Sequence, residues 1–341
     1  MNKLIKIAVD AMGGDNAPNK IIDGIEHHNK NSKNIYYRIF GNKEIIEPLI
    51  SKKNIQKKNY ELIHTENKVE GGDSALVAAK KGKNTSMWLA IESVKNKTSN
   101  IIISAGNTGA LFIISKLNLK MIENIDKPAL SGLWPNKVGM NIVLDLGANI
   151  ECSEKNLIDF SIMGSALYRS LFDNDTPKVA LLNIGSEELK GNSIIKNTFK
   201  KMNELKNPIY EFHGFIEGNH IMDGNVNVIV ADGFTGNVAL KTAEGTANFI
   251  TEELKKVLSS NVLGKISLNN NTNNVNNAEA IAIPYSPGFN FSTSTPTPKA
   301  PTVCAIVFSV KIAVRGLTES SFFKFDQIFP MRGFSVSKIL M

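Results

Sequence analysis

Apolar runs of strand length recur along the chain, and each closes on Gly, Asn, Asp or Ser before a helical pattern begins. Ile5–Val9 leads into the loop Asp10–Pro18, and Ile35–Phe40 into Gly41 and the helix-like NKEIIEPLI. Ile101–Ile103 leads into SAGNTGAL, Ile142–Leu144 into DLGANIECS, Val179–Leu182 into NIGSEELKGN, and Val228–Val230 into ADGFTGNVALK. Continuous apolar strands alternating with amphipathic segments predict an α/β fold whose mostly parallel sheet is covered by helices. In such sheets the ligand crevice lies outside the carboxyl ends of the strands. The polar, glycine-rich stretches all fall there, which predicts one shared cleft. Ordinary turn punctuation, which favours the same residue types, is the alternative.

Two of these loops carry GxxG, GNTG at Gly106–Gly109 and GFTG at Gly233–Gly236, each opening a helix. Glycine lets a backbone approach a ligand without a Cβ in the way. Thr108 and Thr235 add hydroxyls, Asn107 and Asn237 add amides, and helix N-termini with their backbone N–H groups suit an anion. Gly13, Gly14, Asn16, Asn149 and Gly185 join the binding set by their place in the same loops. Lys190, in GSEELKGN, can bind phosphate or stabilise a developing oxyanion. A solvated lysine at a helix end is its plainer reading. Asp10, Asp15, Asp145 and Asp232 are expected along the same sheet edge. Carboxylates repel phosphate, so they read as helix caps or loop braces. A general base or a Mg²⁺ ligand is the alternative, and Asp10 and Asp232 stay among the candidate substrate-binding residues.

Much familiar chemistry is missing from the chain. Neither GxGxxG nor GxxxxGK[ST] occurs, and G-x-S-x-G is absent. The histidines at 27, 28, 64, 213 and 220 show no H-x-x-x-H spacing, and His27 and His28 read as surface residues among Glu, Asn and Lys. Cys152 and Cys304 have neither metal-ligand spacing nor a disulfide framework. Cys152, with only Lys155 as a basic neighbour in sequence, reads as buried packing. No cofactor and no metal site is expected. A reaction without an enzyme-bound intermediate suits this inventory best.

Bulk properties narrow the partners. The 341 residues suffice for one large or two ordinary domains, and 42% hydrophobic with 21% charged residues is a globular composition. The net charge of +7, with a pI near 9.1, suits an anionic substrate, an acidic carrier protein or an anionic membrane surface. A lysine-coated surface is the plainer explanation. Basic residues are scattered among acids, with no basic arm or RNA-binding signature, which argues against nucleic acid. No apolar run of about 18 residues is present to predict a spanning helix. With no secretory pattern at the N-terminus, a reducing cytosol is expected.

With these residues in view, the chain resembles the bacterial phosphate acyltransferases of phospholipid synthesis, the PlsX family, across roughly residues 4 to 258. IAVDAMGGDNAP, SAGNTGAL, VLDLGAN, LLNIGSEELKGN and VADGFTGNVALKTAEG are family hallmarks in the family's order. The resemblance implies a three-layer α/β/α sandwich related to phosphotransacetylases and isopropylmalate dehydrogenases. It implies a cytoplasmic homodimer attached peripherally to the inner face of the cell membrane. It implies transfer of a long-chain acyl group from acyl carrier protein to inorganic phosphate. The acyl phosphate would then serve the membrane's glycerol-3-phosphate acyltransferase. Lys190 and Asn237, in matching motifs, are the expected catalytic residues, polarising the carbonyl or orienting phosphate. The acyl chain would need an apolar channel, which the sequence does not locate. A phosphotransacetylase using acyl-CoA is the nearest enzyme rival, an inactive remnant that binds membrane or carrier protein is the non-enzymatic one, and a dehydrogenase lies further off.

The resemblance breaks in two places. In SALVAAKKGKNTSM the family commonly has an arginine near the position of Val77, so Lys80, Lys81 or Lys83 would have to supply any anion contact it makes. From about Leu268 the composition changes to the asparagine-rich LNNNTNNVNNAEA and the Ser/Thr/Pro tract YSPGFNFSTSTPTPKAP. The family's YNGA, GLNG and KSHG segments are absent, while VCAIVFSVKIAV has the composition of an apolar strand. Residues 1–267 are therefore read as the acyltransferase-like domain. Residues 268–341 are read as a divergent end, through a frameshift or a rebuilt insertion.

Overall fold

A computed structural model describes residues 4–260 except 33, 54, 173–175 and 206, together with the backbone of residues 310–314 and 336–340. Cys304, the asparagine-rich stretch and the Ser/Thr/Pro tract lie outside the described residues. The first half contributes strands β1 (Ile5–Asp10), β2 (Ile35–Gly41), β3 (Tyr60–His64) and β4 (Ile101–Ser104). Its helices are α1 (Asn19–Asn31), α2 (Lys43–Ser51), α3 (Ala75–Lys81), α4 (Ser86–Lys95) and α5 (Thr108–Leu119). The second half contributes β5 (Ala129–Asn136), β6 (Gly139–Leu144), α6 (Glu154–Leu171), β7 (Lys178–Asn183) and α7 (Ser193–Glu204). It continues through β8 (Glu211–Glu217), β9 (Val228–Val230) and α8 (Gly233–Ser260), and two late strands follow, β10 (Val310–Val314) and β11 (Val336–Leu340).

Among the described residues eleven strands form one sheet in the order β3-β2-β1-β4-β10-β11-β5-β6-β9-β7-β8. The apolar strands are buried on both faces, and the period of two sorts their side chains into layers. Ile5, Ile7 and Val9 of β1 pack with α1 and α2, whereas Ala8 packs with α4 and α5 on the other face. In the second half Leu144, Val179, Leu181 and Val230 meet α6 and α7, while Val143, Ala180 and Ile229 meet the first turns of α8. This is the expected α/β/α sandwich, with a mixed but mainly parallel sheet.

The direction of the strands overturns one expectation. β1, β2, β3 and β4 are mutually parallel, as are β6, β9, β7 and β8. Between them β10 pairs antiparallel with β4, β11 runs parallel to β10, and β5 is antiparallel to both β11 and β6. Following these senses across the sheet, the second set runs opposite to the first. Its carboxyl-end loops therefore leave the other end of the ladder, and the glycine-rich loops do not share one rim. From β4 to β6 is four ladder steps, roughly 19 Å at about 4.8 Å each. The loops of the two sets leave opposite ends of the ladder. They remain two clusters, too far apart for one small anion to touch both.

A second expectation fails at His28. It is buried between α1 and β2, with Nδ1 2.5 Å from the Tyr37 hydroxyl and Nε2 2.8 Å from Ser32 Oγ. Desolvation lowers its pKa to about 4. Polar neighbours in sequence hid that it lies one turn from Ile25 and on the same side of α1. His27 is exposed as expected.

Candidate functional site

The first cluster is a knot of backbone and carboxylate. Asp10 ends β1 opposite Ser104 of β4, and its buried carboxylate accepts hydrogen bonds from Ser86 Oγ at 2.6 Å and Ser104 Oγ at 2.7 Å. Desolvation pushes its pKa up, the hydroxyl donors only partly opposing this. Gly13 lies against Gly106: a Cβ on Gly13 would stand 2.5 Å from Asp10 Oδ2 and 3.0 Å from the Gly106 backbone. Gly14, with φ +97°, faces the Ala105 carbonyl. Asn107 caps α5 by accepting from Ala110 N at 2.9 Å, and its amide donates to the carbonyls of Gly71 and Asp73, each at 2.9 Å. Thr108 and Gly109 are in the first turn of α5, where Gly109 packs against Ala75, and Asn16 is exposed at φ +59°. These residues tie three segments together, and the side chains of Asp10 and Asn107 are already engaged.

The second cluster is built from the loops after β6, β9 and β7, which are neighbours in the sheet. Asp145, fully buried, braces the first of them. Its carboxylate accepts from Leu130 N, Ala148 N, Asn149 N and Asn149 Nδ2 at 2.7–3.0 Å. Burial nevertheless raises its pKa. The Asn149 amide also donates to the Pro128 carbonyl at 2.7 Å. Gly233 N–H donates to the Asn149 carbonyl at 2.7 Å, and a Cβ on Gly233 would meet three backbone atoms of Asn149 at 2.5–2.9 Å. Gly236 faces the Asp145 carbonyl so closely that any Cβ would overlap it, and Gly147, with φ +126°, lies beside the Asn237 side chain. The α8 N-terminus is capped internally, since Asp232 accepts from Thr235 N at 2.8 Å and Thr235 Oγ1 at 2.9 Å. Asp145 and Asp232 are thus a loop brace and a helix cap, on one cluster, while Asp10 is on the other.

Lys190 and Asn237 face solvent on this cluster, as do Ser186, Glu187 and Glu188 of the loop after β7. The loop bearing Lys190 is stapled by Asn183, whose amide donates to the carbonyls of Gly185 at 3.0 Å and Lys190 at 3.2 Å. Lys190 N–H closes a turn on the Glu187 carbonyl at 3.0 Å. Gly185 leaves room for the lysine stem, because a Cβ there would come within 2.9 Å of Lys190 Cγ. The backbone is therefore held while the ammonium stays in water, where its three donors can meet a phosphate or an oxyanion. Cys152 is buried at the edge of this cluster, its thiol 3.7 Å from the Asn149 carbonyl, and burial pushes its pKa up to about 11. It is packing, as its sequence setting indicated. Among the described residues no group of His, Cys, Asp and Glu is placed to hold a metal ion.

Residues 5–284 match the family described as fatty acid synthesis protein. A phosphate acyltransferase of Pelagibacter ubique (strain HTCC1062) is 68% identical over 267 residues, spanning 78% of this chain and 80% of its own. One from Paramagnetospirillum magneticum (strain ATCC 700264 / AMB-1) is 40% identical over 265 residues, 78% of this chain and 75% of its own. The chain belongs to this family. Solved structures add the fold: EutD phosphotransacetylase from Staphylococcus aureus superposes with a TM-score of 0.52 at 15% identity, over 72% of this chain and 82% of its own. A phosphotransacetylase from Streptococcus pyogenes gives 0.53 at 17%, over 72% and 83%.

Family membership accounts for the motifs that composition could not interpret, and the geometry divides them. Lys190, Asn237, Gly185, Gly233, Gly236, Asn149, Asp232 and Thr235 are on the second cluster, and the remaining candidates are on the first. Sequence reasoning passed over Asn183, the staple under Lys190, and Ser86 and Ser104, the partners of Asp10. Asn183 carried a signal, since it is the first polar residue after the apolar run of β7. Ser86 carried none, because its contact with Asp10 spans 76 residues.

Proposed function

We infer that this chain transfers a long-chain acyl group from a thioester, carried by acyl carrier protein, to inorganic phosphate at the second cluster. A phosphate oxygen attacks the thioester carbonyl, the resulting oxyanion collapses, and the C–S bond breaks. Hydrogen phosphate loses its proton and the departing sulfur gains one, so acyl phosphate and free thiol form with no cofactor. The protein's work is to hold phosphate beside the carbonyl and to stabilise the oxyanion. Lys190 supplies the positive charge and Asn237 an amide donor, while Gly147, Gly185, Gly233 and Gly236 let their loops close up. The observation that carries this reading is the exposure of Lys190 and Asn237 on glycine-braced loops of adjacent strands, in a chain whose relatives are phosphate acyltransferases.

The same reading places the protein in the cytoplasm as a homodimer on the inner face of the cell membrane. It delivers acyl phosphate to the membrane's glycerol-3-phosphate acyltransferase. No described helix is long and apolar enough to cross a membrane. The net charge of +7 favours encounter with an acidic carrier protein. Likeness of fold to phosphotransacetylases raises acyl-CoA as the rival donor. Purified full-length protein, phosphate and hexadecanoyl thioesters of carrier protein or CoA separate the cases when acyl phosphate is trapped with hydroxylamine. Faster product formation from the carrier thioester is expected. Preference for short acyl-CoA overturns the donor assignment, and no product from either donor overturns the activity.

A further inference from the structure

Five large apolar side chains are exposed on the loops of the second cluster, the loops that also carry Lys190 and Asn237. Ile150, Ile184, Leu189, Phe234 and Val238 are between 50% and 88% exposed. They belong to the three adjacent loops of the second cluster and the first turns of α8. Ile150 follows Asn149, whose backbone touches Gly233, and Phe234 and Val238 stand one turn apart on the same face of α8. Ile184 and Leu189 flank the loop that Asn183 staples, in which Gly185 is buried and both apolar side chains remain outside.

We propose that these five side chains are the footing for the acyl chain of the substrate. One amphiphile then lies with its reacting head at Lys190 and Asn237 and its tail across Ile150, Ile184, Leu189, Phe234 and Val238. The proposal rests on the transfer reaction given above and adds to it the place of the tail. The setting of these side chains selects this occupant. Exposed Ser186, Glu187 and Glu188 interrupt the patch, which disfavours a second copy of this chain, and the two carboxylates oppose an anionic lipid surface. An uncharged, flexible tail fits between such interruptions, and its head meets the Lys190 ammonium.

The test uses a fluorescent C18 polyene fatty acid, cis-parinaric acid, with the full-length protein and no acyl donor, so that tail binding is read apart from turnover. Hexadecanoate is expected to displace the probe and butyrate not. Phe234→Ser and Leu189→Ser are each expected to weaken probe binding about tenfold with far-UV circular dichroism unchanged. Isoleucine at both positions keeps the apolar surface and should restore binding. Probe affinity unaltered by either Ser variant overturns the proposal even if acyl phosphate is formed. Loss of probe binding in the Ser variants sustains it even if no acyl phosphate is formed. A shift in sedimentation toward smaller species on either Ser substitution assigns the patch to a second copy of the chain and also overturns it.

Discussion

Gly233→Ala isolates the contact that sets the second cluster, because the new methyl has nowhere to go. Its Cβ would meet the Asn149 carbonyl oxygen at 2.5 Å, the nitrogen at 2.8 Å and the carbonyl carbon at 2.9 Å. All three are backbone atoms of a loop that Asp145 already holds through four hydrogen bonds, so no side chain can rotate aside. Relief to an ordinary contact of 3.4 Å requires α8 and the β6 loop to separate by about 0.9 Å (3.4 minus 2.5). Overpacking of this kind costs about 1–3 kcal/mol, a fall of a few degrees in melting temperature for a chain of this size. The effect on rate is larger, since misplacing reacting groups by about 1 Å costs on the order of 100-fold. Gly245→Ala is the matched control. It is the same substitution in the same helix, at an exposed position where a Cβ meets nothing within 4 Å. Alanine is favoured there by roughly 1 kcal/mol, so stability should hold or rise. Acyl phosphate formation and thermal melts of both variants decide the matter. Wild-type turnover in Gly233→Ala, or equal losses in both variants, would refute the reasoning.

Three further outcomes are expected. Lys190→Ala should lower turnover by about 100- to 1,000-fold, the scale of removing one oxyanion donor, with the melting temperature within two degrees or so of wild type; unaltered turnover removes Lys190 from the site. Asp10→Asn should change the pH dependence of stability. The folded Asp10 has a pKa raised above 3.8 by burial, so it takes up a proton while the unfolded group is still ionised. That contribution is fully present below pH 3.8 and is lost as pH rises through the folded value. The stability of wild type relative to Asp10→Asn should therefore increase as pH falls toward 4, and a pH-independent difference in denaturant titrations contradicts it. Truncation after residue 267 removes β10 and β11, leaving β4 and β5 as open edges. Aggregation or a broadened melt is expected, and a monodisperse chain with a wild-type melt argues that the two late strands do not support the sheet.

How much of this was legible in the sequence differs between strands and site. The apolar runs at Ile5–Val9, Ile35–Phe40, Ile101–Ile103, Ile142–Leu144, Val179–Leu182 and Val228–Val230 all became strands, because burial on both faces leaves a continuous apolar signature. β3, β5 and β8 were not marked. β3 and β8 are largely half-buried, and β5 is broken by Gly132 and Pro135. Strand direction was invisible, since a period of two reads the same both ways, and the one-rim cleft failed for that reason. At the site, Asp232 and Asp145 served as the cap and brace that electrostatics demanded. The burial of Asp10 depended on Ser86 and Ser104, distant in sequence, and could not be read locally. Lys190 and Asn237 came from motif order rather than from spacing, and what makes them usable, the Asn183 staple and the Gly147 contact, required the folded chain.

The most direct test is a crystal structure of the full-length protein grown with millimolar inorganic phosphate. The ion is expected within hydrogen-bond reach of Lys190 Nζ and the Asn237 amide, at the first turn of α8. Phosphate seated instead at Gly13, Gly14 and Gly106, with Lys190 turned away into solvent, would contradict the assignment of the reaction to the second cluster.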